Sequence, residues 1–482
     1  MRPGVVLYFL GLLTTFIGAA MVVPLGVSLY YAEGDTVAFA QAMLVTVVVG
    51  IAFWWPLRRK VSSITRRESF AIVTLGWATA SAFAALPFMF AGTFTSYVDA
   101  YFEAMSGFTT TGASVLPYIE GEPHGVLLWR SFIQWLGGMG IIVLFVAILP
   151  MLGVGAARMF EDEAPGPPTE RLTPRIRQTA KALWLIYVVL SAAEVALLTA
   201  AGLSLFDSVT HTFSTMATGG YSPRNTSVGA YNSPSVEYII TFFMAAAGVN
   251  FALYYFLWRR QTTRLIADRE VQVYLAIIGA ATGLVLFDLT LNSDTSLGEN
   301  LRLALFQVVS IQTTTGFATT NFDLWPPLSR TVLIGLMILG ACAGSTGGGM
   351  KVIRIWVLVK FAHREIYTMF HPRAVLPLKL KGRPISDKVV SETVGFSILY
   401  IFLLAAATLF ITSFGIDMTS AFSAAVATVG NIGPGLGIVG PATHYGPLPD
   451  PVKVVLIFCM LAGRLEIWTL FVLLRPAFWT TR

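Results

Sequence analysis

The sequence is poor in cysteine and histidine, and these shortages exclude several kinds of site. Only Cys342 and Cys459 occur among the 482 residues. Both lie in apolar segments without metal-ligand spacing, so we expect neither a disulfide framework nor a zinc site. The five histidines do not cluster, and no pairing of a nucleophile with a base is found. We therefore expect no enzyme activity and no cofactor bound by this chain.

Charged residues are also scarce. They make up 12% of the chain and apolar residues 55%, whereas a soluble globular protein carries about 25% charged residues. The apolar residues form about ten segments, each of which is long enough to cross about 30 Å of hydrocarbon. The sequence therefore predicts an all-α, multi-pass membrane protein whose surroundings are a lipid bilayer.

The positive charges that are present lie unevenly between the apolar segments. If the N-terminus is cytoplasmic, 26 of the 32 Lys and Arg residues fall on the cytoplasmic side, as the positive-inside rule requires. We therefore expect both termini in the cytoplasm. The same bias accounts for the net charge of +6, and because no basic soluble domain is present we expect no nucleic-acid binding.

A short apolar run that ends in a glycine loop occurs four times. The repeat length of about one hundred residues is too long for a solenoid and fits a large unit used four times around one axis. The loops read FTTTGAS, MATGGYS, QTTTGFATT and NIGPGLG. In this alignment the equivalent glycines are Gly112, Gly219, Gly316 and Gly433.

The repeat divides the chain into five parts. Residues 1–57 are predicted to form two N-terminal membrane helices outside the fourfold pattern. Each later unit reads as a span, a short helix, a loop and a second span, and the units cover residues 68–155, 176–262, 270–362 and 387–476. We expect a cap or an acidic first turn on the four short helices at Asp99, Asp207, Asn300 and Asp417.

The loops have the chemistry that a dehydrated cation needs. Backbone carbonyl oxygens can replace a hydration shell and still release the ion. Non-helical backbone at membrane depth is tolerated only around a cavity or inside protein, and glycine allows the close approach and positive φ angles that such a loop requires. The short helices would point their partly negative C-terminal ends at the loops.

These motifs and the span–helix–loop–span plan resemble the Trk/Ktr/HKT superfamily of potassium transporters, most of all its bacterial TrkH-type membrane subunits. The resemblance covers essentially the whole chain. It implies four pseudo-symmetric units around one pore and K⁺ as the transported ion. It also implies that K⁺ is bound beside twelve loop residues: Thr110, Thr111, Gly112, Ala217, Thr218, Gly219, Thr314, Thr315, Gly316, Asn431, Ile432 and Gly433. The fourth loop departs most from the pattern, because Asn-Ile replaces Thr-Thr.

A second glycine-rich segment lies inside the last span of unit 3. It is predicted to break the helix, because each glycine costs about 1 kcal/mol in a helix. The resemblance implies an intramembrane gating loop at 340–350. It also implies that Arg464 faces the pore below the selectivity filter that the four loops would form. The expected gating residues are Gly340, Gly344, Ser345, Thr346, Gly347, Gly348, Gly349 and Arg464. A phosphate loop is not expected, because Met350 separates Gly349 from Lys351.

The family also implies partners and a location. It implies a homodimer in the bacterial cytoplasmic membrane, controlled by a cytosolic TrkA-type ring that binds nucleotides. The basic segment 351–388 is the largest cytoplasmic surface for such a partner.

Several alternatives stay open. The protein could conduct sodium or couple K⁺ to Na⁺ or H⁺, although sodium-preferring plant relatives carry Ser where this chain has Gly112. It could also be a membrane sensor that transports nothing. Glu194, within an apolar span, could bind a proton or an ion, or could be a hydrogen-bonded acid within the bundle. Arg130 is expected at the surface, with its charge reaching toward water.

Overall fold

The computed structural model describes residues 1–58, 65–143, 176–258, 260–374, 376–380 and 383–479. Within these residues the fold is helical apart from a two-stranded antiparallel hairpin, Lys379–Leu380 with Arg383–Pro384. Six of the helices in the described residues are long and apolar enough to cross a membrane, and a bent pair makes a seventh candidate span. The expectation of an all-α membrane protein is confirmed.

The N-terminal part forms two spans that pack against each other. The first is divided at Met21, and the second ends in a short 3₁₀ turn. The helices are Pro3–Ala20, Val22–Tyr31, Thr36–Trp54 and Trp55–Leu57.

The four units that follow share one plan. The first span of each unit is a long helix: Arg66–Ala84 continued by Leu86–Phe90, then Ile176–Ala200, Arg269–Asn292 and Asp387–Thr412. The short helices, here called pore helices 1 to 4, are Tyr97–Phe108, Leu205–Met216, Leu297–Gln312 and Met418–Val429. The last spans contain His124–Val143, Pro234–Ala247 with Phe251–Trp258, Pro327–Ile338 with Val352–Phe370, and Asp450–Arg464 with Trp468–Leu473.

Short helices complete the connections between these elements. They are Ser227–Tyr231, Thr262–Ile266, Phe322–Leu324, Gly437–Val439 and Pro476–Trp479. The part of the first unit's last span beyond Val143 lies outside the described residues.

The pore helices begin at side-chain caps. Ser96, Ser204, Ser296 and Asp417 each accept a hydrogen bond from a backbone N–H in the first turn. Asp99 and Asp207 lie in the first turn as predicted. The expectation for Asn300 was wrong, because Ser296 caps pore helix 3 and Glu299 is its acidic first-turn residue.

Two last spans that we expected to be continuous are interrupted. In unit 2 the chain bends by 99° between Ala247 and Phe251. A Cβ at Gly248 would lie 2.5 Å from the Tyr274 hydroxyl and 3.1 Å from Thr313 Cγ2, so glycine permits this close passage. In unit 4 the helix stops at Arg464, and Glu466 and Ile467 have positive φ angles.

The last span of unit 3 is broken where its glycines lie. Non-helical backbone runs from Leu339 to Lys351 between the two helices of this span. The two ends of the break are pinched together by a parallel bridge between Leu339 and Met350. Nearly all of this segment is buried, so its backbone groups need partners within the protein.

Candidate functional site

All four pore helices end in the same backbone turn. The second residue after each helix has a left-handed conformation: Thr110 at φ 52°, Thr218 at 54°, Thr314 at 60° and Asn431 at 54°. Its N–H and the next N–H bond back to carbonyls three and five positions earlier, as in Thr110 to Gly107 (2.9 Å) and Thr111 to Ser106 (2.8 Å). This is the Schellman ending of a helix, here with a residue other than glycine in the left-handed position.

The four loops meet in a closed ring. A Cβ on Gly112 would overlap the carbonyl oxygen of Gly219, and one on Gly220 would overlap that of Thr315. The remaining two contacts have the same form. Gly316 lies against the Ile432 oxygen, and a Cβ on Gly433 would be 2.7 Å from the Thr111 oxygen. Each unit thus touches the next, and unit 4 closes on unit 1.

The ring corrects the alignment of unit 2 by one residue. Gly220, at φ 75°, is the equivalent of Gly112, Gly316 and Gly433, whose φ angles are 78°, 82° and 99°. Gly219 instead occupies the position of Thr111 and contributes the ring carbonyl. Two adjacent glycines made the two alignments indistinguishable in the sequence.

The four ring glycines open onto one shared cavity. Gly112, Gly220, Gly316 and Gly433 all line it, together with Tyr221 and Tyr445. The chain that leaves the loop of unit 1 on the cavity side runs back along pore helix 1, where Ser114 and Val115 contact Glu103, so the C-terminal end of the helix lies at the other end of the loop. The loops therefore form a short passage between this cavity and the C-terminal ends of the helices.

A buried ion pair supports the loop of unit 1. Arg130 is 1% exposed and its guanidinium lies 2.8 Å from Glu103 of pore helix 1. It also donates to Ser114 Oγ at 3.0 Å and stacks on the Tyr221 ring at 4.3 Å. Glu103 in turn accepts from the Val115 N–H at 2.9 Å. The expectation that Arg130 reaches toward water was wrong, because its partner is inside the bundle.

At the equivalent positions of pore helices 2 and 3, His211 and Gln307 also bond to the chain that follows the loop. His211 bonds to Ser222 Oγ at 3.1 Å. Gln307 donates to the Phe317 carbonyl at 3.3 Å. Pore helices 1 to 3 thus each bond to the chain that leaves their own loop, and in these three units a titratable or amide residue seven positions before the left-handed residue is the sequence signal for this role. In pore helix 4 this position is Ala424, and the neighbouring Ser423 Oγ donates to the Leu436 carbonyl at 3.1 Å.

Two amide side chains contact the ring itself. Gln134 donates to the Gly219 carbonyl at 2.6 Å. Asn431 donates to Thr111 Oγ1 and to the Met460 carbonyl, both at 2.9 Å. The fourth loop, where Asn replaces Thr, is therefore connected to the first loop by a side-chain hydrogen bond.

The break in unit 3 lies at the pore-helix end of the ring. The Gly348 N–H donates to Thr314 Oγ1 at 2.7 Å, and Gln312 donates to the Gly340 carbonyl at 2.9 Å. A Cβ on Gly347 would lie 3.0 Å from the Thr313 carbonyl oxygen. The segment 340–350 therefore covers the end of the passage opposite the shared cavity.

The same segment fills the bend of unit 2. The Cys342 N–H donates to the Gly248 carbonyl, and the Phe251 N–H donates to the Gly344 carbonyl, both at 3.1 Å. Ser345 Oγ bonds to the Cys342 carbonyl at 2.6 Å. These bonds satisfy backbone groups that the bend and the break each leave outside a helix.

Cationic side chains hold two successive carbonyls of the segment. Arg464 donates to the Thr346 carbonyl at 2.7 Å and to the Gly137 carbonyl at 3.3 Å. Lys351 donates to the Gly347 carbonyl. Both side chains are nearly fully buried.

Glu466 lies beside these cations but pairs with Arg354 rather than with Arg464. The helix ends at Arg464, and Glu466, in a left-handed conformation beyond that end, directs its carboxylate to Arg354 in the last span of unit 3. Arg464 was predicted from the sequence, but Lys351, directly before the helix Val352–Phe370, and Arg354, in its first turn, were not.

The arrangement is a ring of uncharged backbone oxygens. Glu103 is paired with Arg130, and no group of three or more potential metal-ligating acidic, cysteine or histidine side chains is found among the described residues. Such a ring suits a monovalent cation that must bind weakly enough to leave.

Comparison with known proteins agrees with this architecture. Residues 35–480 match the family described as "TrkH: Cation transport protein". The chain is 41% identical over 475 residues to the Trk system potassium uptake protein TrkH of Salmonella typhimurium, covering 97% of this chain and 98% of that one. It is 32% identical over 478 residues to TrkG of Escherichia coli, covering 98% of both chains.

A solved structure is equally similar. The crystal structure of the potassium transporter TrkH from Vibrio parahaemolyticus superposes with a TM-score of 0.92 at 39% identity, covering 100% of both chains. A fourfold span–helix–loop–span membrane fold is thus established for this chain. The chain belongs to the TrkH family of cation transport proteins.

The corrected alignment of unit 2 makes a paired prediction. Gly220→Ala should disturb the ring, because a left-handed conformation costs a residue with a Cβ about 1–2 kcal/mol and the new Cβ overlaps Thr315 O. Gly219→Ala should be milder, since the three atoms nearest to its Cβ position all belong to the end of the flexible Gln134 side chain. Relative K⁺ and Na⁺ uptake of the two variants in vesicles is the measurement. Equal effects, or a stronger effect of Gly219→Ala, would refute the alignment.

The second prediction concerns the ion pair of Arg130 and Glu103, which supports the loop of unit 1. Arg130→Gln should destabilise the fold by about 3–5 kcal/mol, because it leaves a buried carboxylate without its cation. Adding Glu103→Gln should recover part of the loss. Thermal unfolding in detergent compares them, with Arg224→Gln as control, since Arg224 is 42% exposed in its pair with Asp207 and should lose about 0–1 kcal/mol. A stable Arg130→Gln protein would contradict the role.

Proposed function

We propose that this chain takes up potassium across the bacterial cytoplasmic membrane through the ring of four loops. The observation that carries the proposal is the closed ring, in which each of four glycines lies against a backbone carbonyl of the next unit. The names of its relatives, potassium uptake proteins of the Trk system, support the choice of ion.

The proposed ligands are the carbonyl oxygens around the left-handed turns. They belong to Thr110 and Thr111, Ala217 and Thr218, Thr314 and Thr315, and Asn431 and Ile432, each beside its ring glycine. The ring geometry adds the Gly219 carbonyl to this set, because Gly219 has in unit 2 the position that Thr111 has in unit 1. The C-terminal ends of four pore helices add partial negative charge without a fixed anion.

The segment 340–350 is the proposed gate. In this conformation it is packed against Thr314 and held by Arg464 and Lys351, so an ion leaving the ring would meet buried protein. Opening requires these hydrogen bonds to be exchanged. A partner can shift this equilibrium only by binding the open and closed states with different affinity.

The proposed partners follow from the family and from the charge pattern. The basic segment 351–388 continues from the gate through the helix Val352–Phe370, so a cytosolic nucleotide-binding ring docked there would act on the gate through one helix. We further propose a homodimer with both termini in the cytoplasm. In this orientation the ring of four loops and the shared cavity would lie toward the outer side of the membrane.

The experiment that tests the function is ion flux in vesicles reconstituted with purified protein. Reversal potentials in asymmetric K⁺ and Na⁺ should show a preference for K⁺. Gly112→Ser should weaken that preference, because a side chain at φ 78° must displace the Gly219 carbonyl. Absence of flux in the wild type, or unchanged selectivity in a folded Gly112→Ser protein, would count against the ring as the filter.

The gate makes a separate prediction. Arg464→Ala removes the donor to the Thr346 and Gly137 carbonyls and a positive charge from a low-dielectric region. Basal flux should rise while K⁺ over Na⁺ selectivity stays nearly unchanged, because the ring is untouched. Arg475→Ala is a matched loss of charge at an exposed site and should have no effect.

Flux and thermal stability are measured on the same Arg464→Ala sample. This separates release of the gate from loss of the fold. A stable Arg464→Ala protein with wild-type conduction would remove Arg464 from the gate.

A further inference from the structure

A large apolar cavity lies on the side of unit 1, and its described lining residues are different from those of the shared cavity. Its walls come from residues 9–17 of the first N-terminal span, 72–80 of the first span of unit 1, and 136–140 of the last span of unit 1, with Phe108 at its inner end. We call this space the lateral cavity. Its volume of about 540 Å³ lies within the range of about 300–1,000 Å³ typical of ligand pockets.

The position of the lateral cavity determines what can fill it. Residues 9–17 and 72–80 lie inside the spans Pro3–Tyr31 and Arg67–Phe90, several residues from either end. Phe16 is 54% exposed at the rim, so the cavity opens on the surface that faces hydrocarbon. Water has few partners in such a place, because none of the described lining residues has a charged or hydroxyl side chain and the only polar side-chain group among them is the indole N–H of Trp77.

Packing on the wall leaves room for an occupant. A Cβ added to Gly140 would have the Trp77 ring as its nearest neighbour, at 3.8 and 3.9 Å. Glycine at this position is therefore not required by a close backbone contact. An unfilled space of this size would forfeit the dispersion contacts of every side chain around it.

We infer that the lateral cavity binds an acyl chain of a membrane lipid. The rim faces the bilayer, so the occupant comes from lipid already in contact with the protein, and the chain alone enters. This assignment depends on the location and chemistry of the walls and not on which ion the protein transports.

An acyl chain in this place contacts two functional elements. Phe108 is the last residue of pore helix 1, directly before the left-handed turn. The carbonyl of Gly137 accepts from Arg464, whose guanidinium lies 5.9 Å from the Trp77 ring centre. The bound chain would therefore pack between the base of the ring and the backbone that holds the proposed gate.

The test is photolabelling in vesicles that contain a phosphatidylglycerol with a diazirine in one acyl chain. Peptides that carry residues 72–80 and 136–140 should be labelled several-fold more than the span Arg269–Asn292, whose exposed apolar side chains include Leu275, Leu284 and Phe287. Gly140→Leu should fill the cavity and reduce labelling of those peptides several-fold. Gly283→Leu is the control, because Gly283 is exposed and has nothing within 4 Å of its Cβ position.

Two results would overturn the assignment. One is wild-type labelling of the cavity peptides no higher than that of Arg269–Asn292. The other is unchanged labelling in Gly140→Leu or, if that protein does not fold, in the smaller Gly140→Val. Labelling is read without ion flux, so failure of this inference and failure of potassium uptake are distinguishable.

Discussion

The close contact of four loop backbones around one axis is the constraint on which the rest of this structure depends. Each ring glycine lies where a Cβ would overlap a carbonyl of the next unit, and Gly433 against Thr111 closes the circle. A ring closes only if all four contacts are made, so four pore helices must end at the same level and in the same turn. The spans, the caps and the Glu103–Arg130 pair hold these ends in place. The residues in the strained left-handed conformation are Thr110, Thr218, Thr314 and Asn431. The free energy of this backbone strain is the local cost of turning the carbonyls toward one axis.

A second constraint follows from the membrane. Backbone that leaves a helix inside a bilayer must find its hydrogen bonds within the protein. The bend at Gly248 and the break at 340–350 bond to each other: the Cys342 N–H donates to the Gly248 carbonyl, and the Phe251 N–H donates to the Gly344 carbonyl. The carbonyls of Thr346 and Gly347 accept hydrogen bonds from Arg464 and Lys351, respectively. The buried cations are therefore partners of the irregular backbone, and this accounts for positive charge close to a proposed cation path.

Much of this could be predicted from the sequence, and the errors have physical reasons. Hydrophobic length and the fourfold repeat predict the spans, the pore helices and the break in unit 3, because each depends on local composition. The bend of unit 2 was missed because Phe251–Trp258 is apolar, as a continuous span would be, and because the Tyr274 and Thr313 side chains that lie close to Gly248 are distant in sequence. Arg130 was misplaced for a similar reason: position in a span does not reveal a partner on another helix. The exchange of Gly219 for Gly220 shows that only geometry separates adjacent glycines.

The proposed role of the four loops is to bind the transported ion on their common axis. The most direct measurement is the anomalous scattering of protein crystals soaked in Rb⁺ or Tl⁺, which replace K⁺ and can be located by wavelength. Ion density is expected between the shared cavity and the segment 340–350, enclosed by the carbonyls of Thr110, Thr218, Thr314 and Asn431 and their neighbours. Density confined to another part of the protein, or none on this axis in crystals of a preparation that transports K⁺ in vesicles, would contradict it.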